Sequence, residues 1–428
     1  MNQYVLDSRE MEIGPGQRSR EICFALTMGE GDWRQVRQET LRWAGLAGGG
    51  QGGPSAALPV RSPVLARLEP AVVATISNEA SARLVVDSAS SRAESGQVVL
   101  VTDEALLAEP ASVRVTDLRR GRPLEQTVRF SLPEDALGVL GGEVQLSLPT
   151  SNTSRPFHVL RLGAAGAVVI GAEGEGSQSL WTIHNGAHRF VIAPGFGPSM
   201  IAWYRDKTNC LASSFPVPQG LGWLYPWFGG LGPGLASVGP YAPAAMLHRE
   251  HFDAEVLCST DASGLAWQGV RLRGRSTQAA FRDLALEVDY LTLGQAKVLK
   301  YVYRLCNLRG TEQAVRSFSR LTCSLGGDIK ALTLRGKDLV RQPTAVAVTV
   351  QGRQWGALTD DRTGRTMLLV GRQADIALED WGQAGRLLGA DGDAYLAGGA
   401  VQERIYYLVW AESLEEALDY LPLADYAG

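Results

Sequence analysis

From residue 60 to residue 410 the chain runs in short stretches where apolar and polar residues alternate, broken by glycine and proline, with no helix-period stripe between them. A period of two places alternate side chains on opposite faces of an extended strand, so these stretches can bury their apolar set only by packing one sheet on another. The chain is therefore expected to be all-β with few short helices. At 428 residues it is long enough for two or three cores.

Residues 58–165 hold seven such stretches, at 72–76, 83–86, 97–101, 112–118, 125–132, 142–148 and 157–162, separated by turns such as Arg120-Gly121-Arg122-Pro123. This spacing predicts a β-sandwich of immunoglobulin or fibronectin type. It resembles the immunoglobulin-like spacer domains of bacterial surface and carbohydrate-active proteins. With no Cys, no Trp and a single His, the segment carries nothing like a reaction centre. A spacer role is expected.

Residues 166–428 read as a second, larger unit with strands expected at 251–258, 265–273, 284–292, 297–308, 314–325, 344–350, 365–369 and 403–410. Long antiparallel strands without intervening helices predict two large sheets face to face. Between 204 and 243 lies a glycine- and proline-rich stretch read as a loop, with Trp223, Tyr225, Trp227 and Phe228 in it. Long loops inside compact domains are often functional. Asn185 leads into an apolar strand, then Pro194, Gly197 and Ser199, then a second apolar strand ending near Trp203. This order resembles the opening of the galactose mutarotase-like domain, which implies an antiparallel β-supersandwich binding sugar across a concave face. The Asn-His pair and adjoining aromatic motif of true aldose mutarotases are not found here, so plain mutarotation is not implied.

Composition narrows the partners. A formal charge of −4, without basic tracts or an acidic tail, argues against nucleic acid. No apolar run reaches the roughly eighteen residues of a membrane span, and Met1 is not followed by a charged and then apolar leader. A soluble chain without membrane insertion is expected, its compartment open. Cys23, Cys210, Cys258, Cys306 and Cys323 are odd in number and widely spaced, which suggests neither a zinc cage nor a disulfide framework. No cofactor and no metal is expected.

Residues 1–57 read as a strand at 18–26, a helix capped by Asp32 with Trp33, Val36, Leu41 and Ala44 on one face, and a glycine-rich linker at 45–59. The end of the chain repeats the plan, with a strand at 403–410 and then Ser413 and Glu416 as a capping box. Either the first copy is the tail of a preceding domain, making the chain part of a longer protein, or the likeness is coincidental.

Three groups could carry chemistry. His248, Glu250 and His251 sit beside Asp253 and Glu255 directly after the aromatic loop, offering imidazoles and carboxylates for acid and base work on a sugar. His184 and His188 flank the Asn185-Gly186 turn; a metal pair lacks a third ligand there, and surface histidines are expected. Glu379-Asp380-Trp381 is read as lying in a loop, with Asp391 and Asp393 beyond it; an acid pair suits glycosidic cleavage, while Asp391-Gly392-Asp393 also admits a calcium reading. Trp223, Tyr225 and Trp227 are expected to stack on a sugar, or else to plug the sandwich, with Asn185 and Glu379 among the hydrogen-bonding partners. The expected function is carbohydrate binding or processing, as a glycoside hydrolase or epimerase-like enzyme if catalytic. The competing expectation is a non-catalytic structural or interaction module of a larger surface protein.

Overall fold

The computed structural model describes residues 64–426, apart from 90–92, 135–136, 150, 175–178, 222–223, 239–243, 246, 345 and 374. The expected strand, helix and linker of residues 1–57 lie outside the described residues. Two β-sandwiches follow one another, and the fold is all-β, with one short α-helix, Leu414–Asp419, among the described residues. Among the described residues no helix is long and apolar enough to cross a membrane.

The first sandwich packs a four-stranded sheet on a five-stranded one. Strand Val64–Glu69 buries every second residue, as its alternation requires. Its pairing with Glu79–Ser88 delivers Leu84 and Val86 to a core shared with Val98, Phe130 and Val159. All seven expected strands are present; the short Leu107–Glu109 and the edge strand Val64–Glu69 are additional.

In the second sandwich a nine-stranded back sheet runs from Phe252–Thr260 to Leu339–Arg341, with Val298–Asn307 and Val401–Ala411 at its centre. A ten-stranded front sheet faces it, with Ser199–Arg205, Leu231–Ala236, Gln313–Leu321 and Arg386–Leu396 side by side in that order. Met200, Trp203, Leu235 and Leu388 from the front meet Val288, Tyr290, Tyr301 and Trp410 from the back in one buried core. Two expectations are corrected. Leu231–Ala236, read as part of a loop, is a central strand, and Glu379 lies on strand Ile376–Asp380 rather than in a loop.

The outer face of the back sheet is also covered. Trp267, Leu293 and Tyr407 pack with Leu160 and Leu162 of the first sandwich and with Leu423 and Tyr426 beyond the terminal helix, so the two sandwiches share one apolar cluster. Ser413 caps that helix, its side chain accepting from the Glu416 amide at 3.1 Å, while Glu416 reaches back to the Glu412 amide at 2.8 Å. Replacing Ser413 by Ala should lower stability by about 1 kcal/mol in denaturant titration, the usual effect of losing an N-cap. An unchanged midpoint would show that packing alone holds the helix.

Candidate functional site

The front sheet turns one face to the core and the other to a cavity of about 610 Å³. The cavity floor is opened by glycines. On strand Leu231–Ala236, Gly232 pairs with Arg320 and Gly234 with Phe318. A Cβ on Gly234 would lie 2.1 Å from the Phe318 ring, and one on Gly232 2.3 Å from Ser199 Oγ. A side chain at either position would force its neighbour to move, so Gly234 makes room for the Phe318 ring and Gly232 for Ser199, while Gly389 on the next strand lies under Arg320, 2.9 Å from its Nη1 if a Cβ were added. The same residues made the segment look like a loop in sequence.

Helical turns at Pro194–Phe196 and Leu247–Arg249 and a two-stranded hairpin, Gln219–Leu221 with Leu224–Trp227, supply most of the walls, a correction to the long loop expected there. Phe196, Phe228, Trp227, Trp381 and His248 line the cavity. Phe196 meets Phe228 edge-on with centroids 5.4 Å apart, and Phe228 lies 4.6 Å from the His248 ring. Gly197, at φ +75°, ends the Pro194–Phe196 turn; a Cβ there would lie 3.3 Å from the His248 amide nitrogen. Burial, assisted by the Arg249 charge, holds the His248 imidazole below its ordinary range, so it is neutral near pH 7.

Arg320 is the cation of the floor. It forms a paired contact with Asp391 at 2.6 and 3.1 Å and reaches Glu379 at 2.7 Å. Arg316 also donates to Asp391, at 3.0 Å. Burial works to raise the Asp391 carboxyl, but the two guanidiniums outweigh it and hold the group below its usual range. For Glu379 burial prevails over Arg320, and Asp391 adds repulsion, so its carboxyl is pushed up. Glu379 Oε2 is buried and has no hydrogen-bond partner among the described residues. Two guanidiniums matched by two carboxylates leave a floor close to neutral, which suits an uncharged ligand.

The structure brings together His248, Trp227 and, one layer below through Arg320, Glu379. Trp223 and the side chain of Tyr225 lie outside the described residues. Glu250 is elsewhere: its carboxylate accepts from the Ser276 and Thr277 hydroxyls, the Thr277 amide and the Gln278 amide group. Burial favours its neutral form, but these bonds outweigh that and hold it below the usual range, a carboxylate committed to tying down a neighbouring turn. His251 is exposed and pairs with Asp253 at 2.9 Å, away from the cavity lining.

Asn185 is fully buried and joins the two sheets. Its Nδ2 donates to Thr292 Oγ1, Leu293 O and Ala296 O, and its Oδ1 accepts from the amides of Ala187 and His188. No polar atom remains for a ligand. His188, expected at the surface, is buried between Trp203 and Trp410 and accepts from Trp203 Nε1 at 3.1 Å. Burial, then Arg205 and Lys297, lower its pKa to about 4, so it is a neutral core residue. Among the described residues no group of three or more potential metal ligands converges. Asp391 is occupied by Arg316, Arg320 and Gln351, which displaces the calcium reading of its strand; the Asp393 side chain lies outside the described residues.

Reasoning from sequence missed Arg320, Phe318, Thr322 and the glycine floor. The available signal was glycine at alternate positions, Gly232 and Gly234, beside a strand carrying aromatic and cationic residues on one face, Phe318 and Arg320.

No protein-family model matches this chain, and none of the curated proteins matches it. Solved structures do resemble it. One is a protein from Klebsiella pneumoniae subsp. pneumoniae proposed to be an aldose 1-epimerase, with 10% identity over 60% of this chain and 86% of that one at a TM-score of 0.45. Another is a galactose mutarotase-like protein from Clostridium acetobutylicum, with 10% identity over 57% of this chain and 99% of that one at a TM-score of 0.41. A third is a galactose mutarotase-like protein from Lactobacillus casei, with 12% identity over 54% and 100% at a TM-score of 0.40.

Proposed function

We propose that the cavity on the front sheet binds a carbohydrate. The observation carrying this is the combination of aromatic walls, a backbone-lined floor and a few converging polar groups. Sugar rings present C–H faces that pack on Trp and Phe, and hydroxyls that hydrogen-bond to groups such as His248, Arg320 and Thr322. Trp223 and Tyr225, from the same loop in sequence, are proposed as further stacking residues. The first sandwich acts as an immunoglobulin-like spacer.

A glycan array followed by calorimetry tests the reading. Trp227→Ala should weaken binding of the best sugar about tenfold, from the loss of a stacking contact and its buried area, with little change in melting temperature. Unfolding without a change in affinity would assign Trp227 to the core. Absence of binding across the array would leave the interaction-module reading in its place.

One observation favours catalysis as a second reading. Glu379 combines a buried, unpartnered oxygen with a carboxyl whose pKa burial raises, the setting in which a carboxyl can serve as a general acid or base. If sugars bind, turnover of free sugars and aryl glycosides should fall a hundredfold or more in Glu379→Gln, on the order of a lost general acid or base. Binding without turnover in the unaltered chain restricts the site to recognition.

A further inference from the structure

The cavity has a neighbour. On the same face of the front sheet, at the end nearer Tyr204, lies a second cavity of about 480 Å³ lined by Tyr204, Ser213, Phe215, Ser324 and Asp328. Trp227 lines both. Phe215 of the second cavity meets Phe196 of the first edge-on, with centroids 5.3 Å apart, and Phe196 continues to Phe228 and His248. A row of rings therefore leads from one cavity into the other.

Trp227 also carries an unsatisfied group: its Nε1 is buried with no hydrogen-bond partner among the described residues. A buried donor left unpaired costs about 1–3 kcal/mol, so such a group at a cavity boundary signals a partner that arrives with the ligand. Each cavity alone has the size of a small-molecule site, roughly 300–1,000 Å³. One sugar ring occupies only one of them.

We infer that the two cavities are consecutive subsites of a single groove, and that its ligand is a linear, uncharged oligosaccharide whose successive rings lie on either side of Trp227. This rests on the carbohydrate reading above. The second cavity extends the chemistry of the first: Tyr204 and Phe215 provide ring faces, and Ser213, Ser324 and Asp328 provide oxygens for hydroxyls. Asp328, the one carboxylate named there, disfavours an acidic sugar.

The test is calorimetry with cello-, xylo-, chito- and malto-oligosaccharides of one to six units, on the full chain. For the sugar type that binds, affinity should rise about tenfold or more from one unit to three and then level off, as expected when a second stacking subsite is filled. Gly327 lines the second cavity, and a Cβ there would lie 3.2 Å from the mobile end of Arg362 and 3.5 Å from Ser324 O, so a side chain can be accommodated. Gly327→Trp should fill the subsite, abolish the gain with length and leave monosaccharide affinity within about twofold. Tyr204→Ala should reduce the gain without added bulk, with the melting temperature recorded for both variants. Equal affinity for all lengths, or a gain that survives in Gly327→Trp, overturns the two-subsite groove while sparing sugar binding. No binding at any length defeats the carbohydrate reading, and this inference with it.

Discussion

Replacing Arg320 by Met should lower the unfolding free energy at pH 7 by about 3–5 kcal/mol, the range for removing one partner from a buried ion pair. Arg320 is the only cation bonded to Glu379 among the described residues, and it shares Asp391 with Arg316. Met keeps most of the aliphatic stem but strands a carboxylate beneath the cavity. The pH dependence follows from the direction of each shift. Glu379 has a folded pKa above its unfolded value, so the stability it contributes is fully present below the unfolded pKa and is lost as pH rises through the folded one. Removing Arg320 pushes that folded pKa higher still. Asp391 behaves oppositely in the unaltered chain, contributing stability above its unfolded pKa that is lost as pH falls through the folded one. Arg316 and Gln351 remain to hold it in the variant. The penalty should therefore be smaller at pH 5 than at pH 7. Denaturant titrations at both pH values check this, and an equal penalty at both would remove Glu379 as its source.

Asn185→Ala should lower stability by about 2–4 kcal/mol while leaving the affinity of any bound sugar unchanged. The truncation removes the partner of three buried acceptors and two backbone amides at once, and each buried group left unpaired costs on the order of 1–3 kcal/mol unless water replaces the bond. The Gln295 amide also donates to Asn185 O at 2.7 Å, so the turn after Leu284–Thr292 on the back sheet docks against the turn after Leu180–His184 on the front sheet. Asn185→Asp separates the two halves of the network, because it keeps the acceptor for Ala187 and His188 and loses the donor. A large loss in Asp as well as Ala would place the energy on the Leu293 and Ala296 carbonyls. A loss of sugar affinity without a loss of stability would return Asn185 to the ligand site.

The back sheet was legible where a strand buries alternate residues over part of its length and lacks glycine at its centre. Leu284–Thr292 is an example, with Leu284, Leu286, Val288 and Tyr290 all turned to the core. The front sheet was harder to read for the reason that makes it a candidate site. Its floor uses Gly232, Gly234 and Gly389, residues that read as turns, and its Ile376–Asp380 strand is buried on both faces and shows no alternation. Glu250 and His251 do not line the cavity, for a related reason. Closeness in sequence to the aromatic loop decides nothing once a strand begins at Phe252 and carries the chain away, whereas Arg320 and Glu379 arrive from distant segments that only the strand order brings together. His188 looked like a surface residue beside a turn, and no sequence pattern announced the two tryptophans that enclose it.

The glycine floor has a consequence for how such a chain can change over generations. Where the base of a cavity is opened by glycine, its shape is set by main chain, and the side chains free to change are those of the rim, Phe196, Trp227, Phe228, His248 and Trp381, none of which pairs with the central floor strands. Substitutions in the rim leave strand register alone, while any side chain added at Gly234 strikes Phe318. Inheritance is thus divided between a stage that tolerates almost no variation and scenery that can be replaced piece by piece, and descendants of this chain should diverge in what the cavity admits long before they diverge in shape.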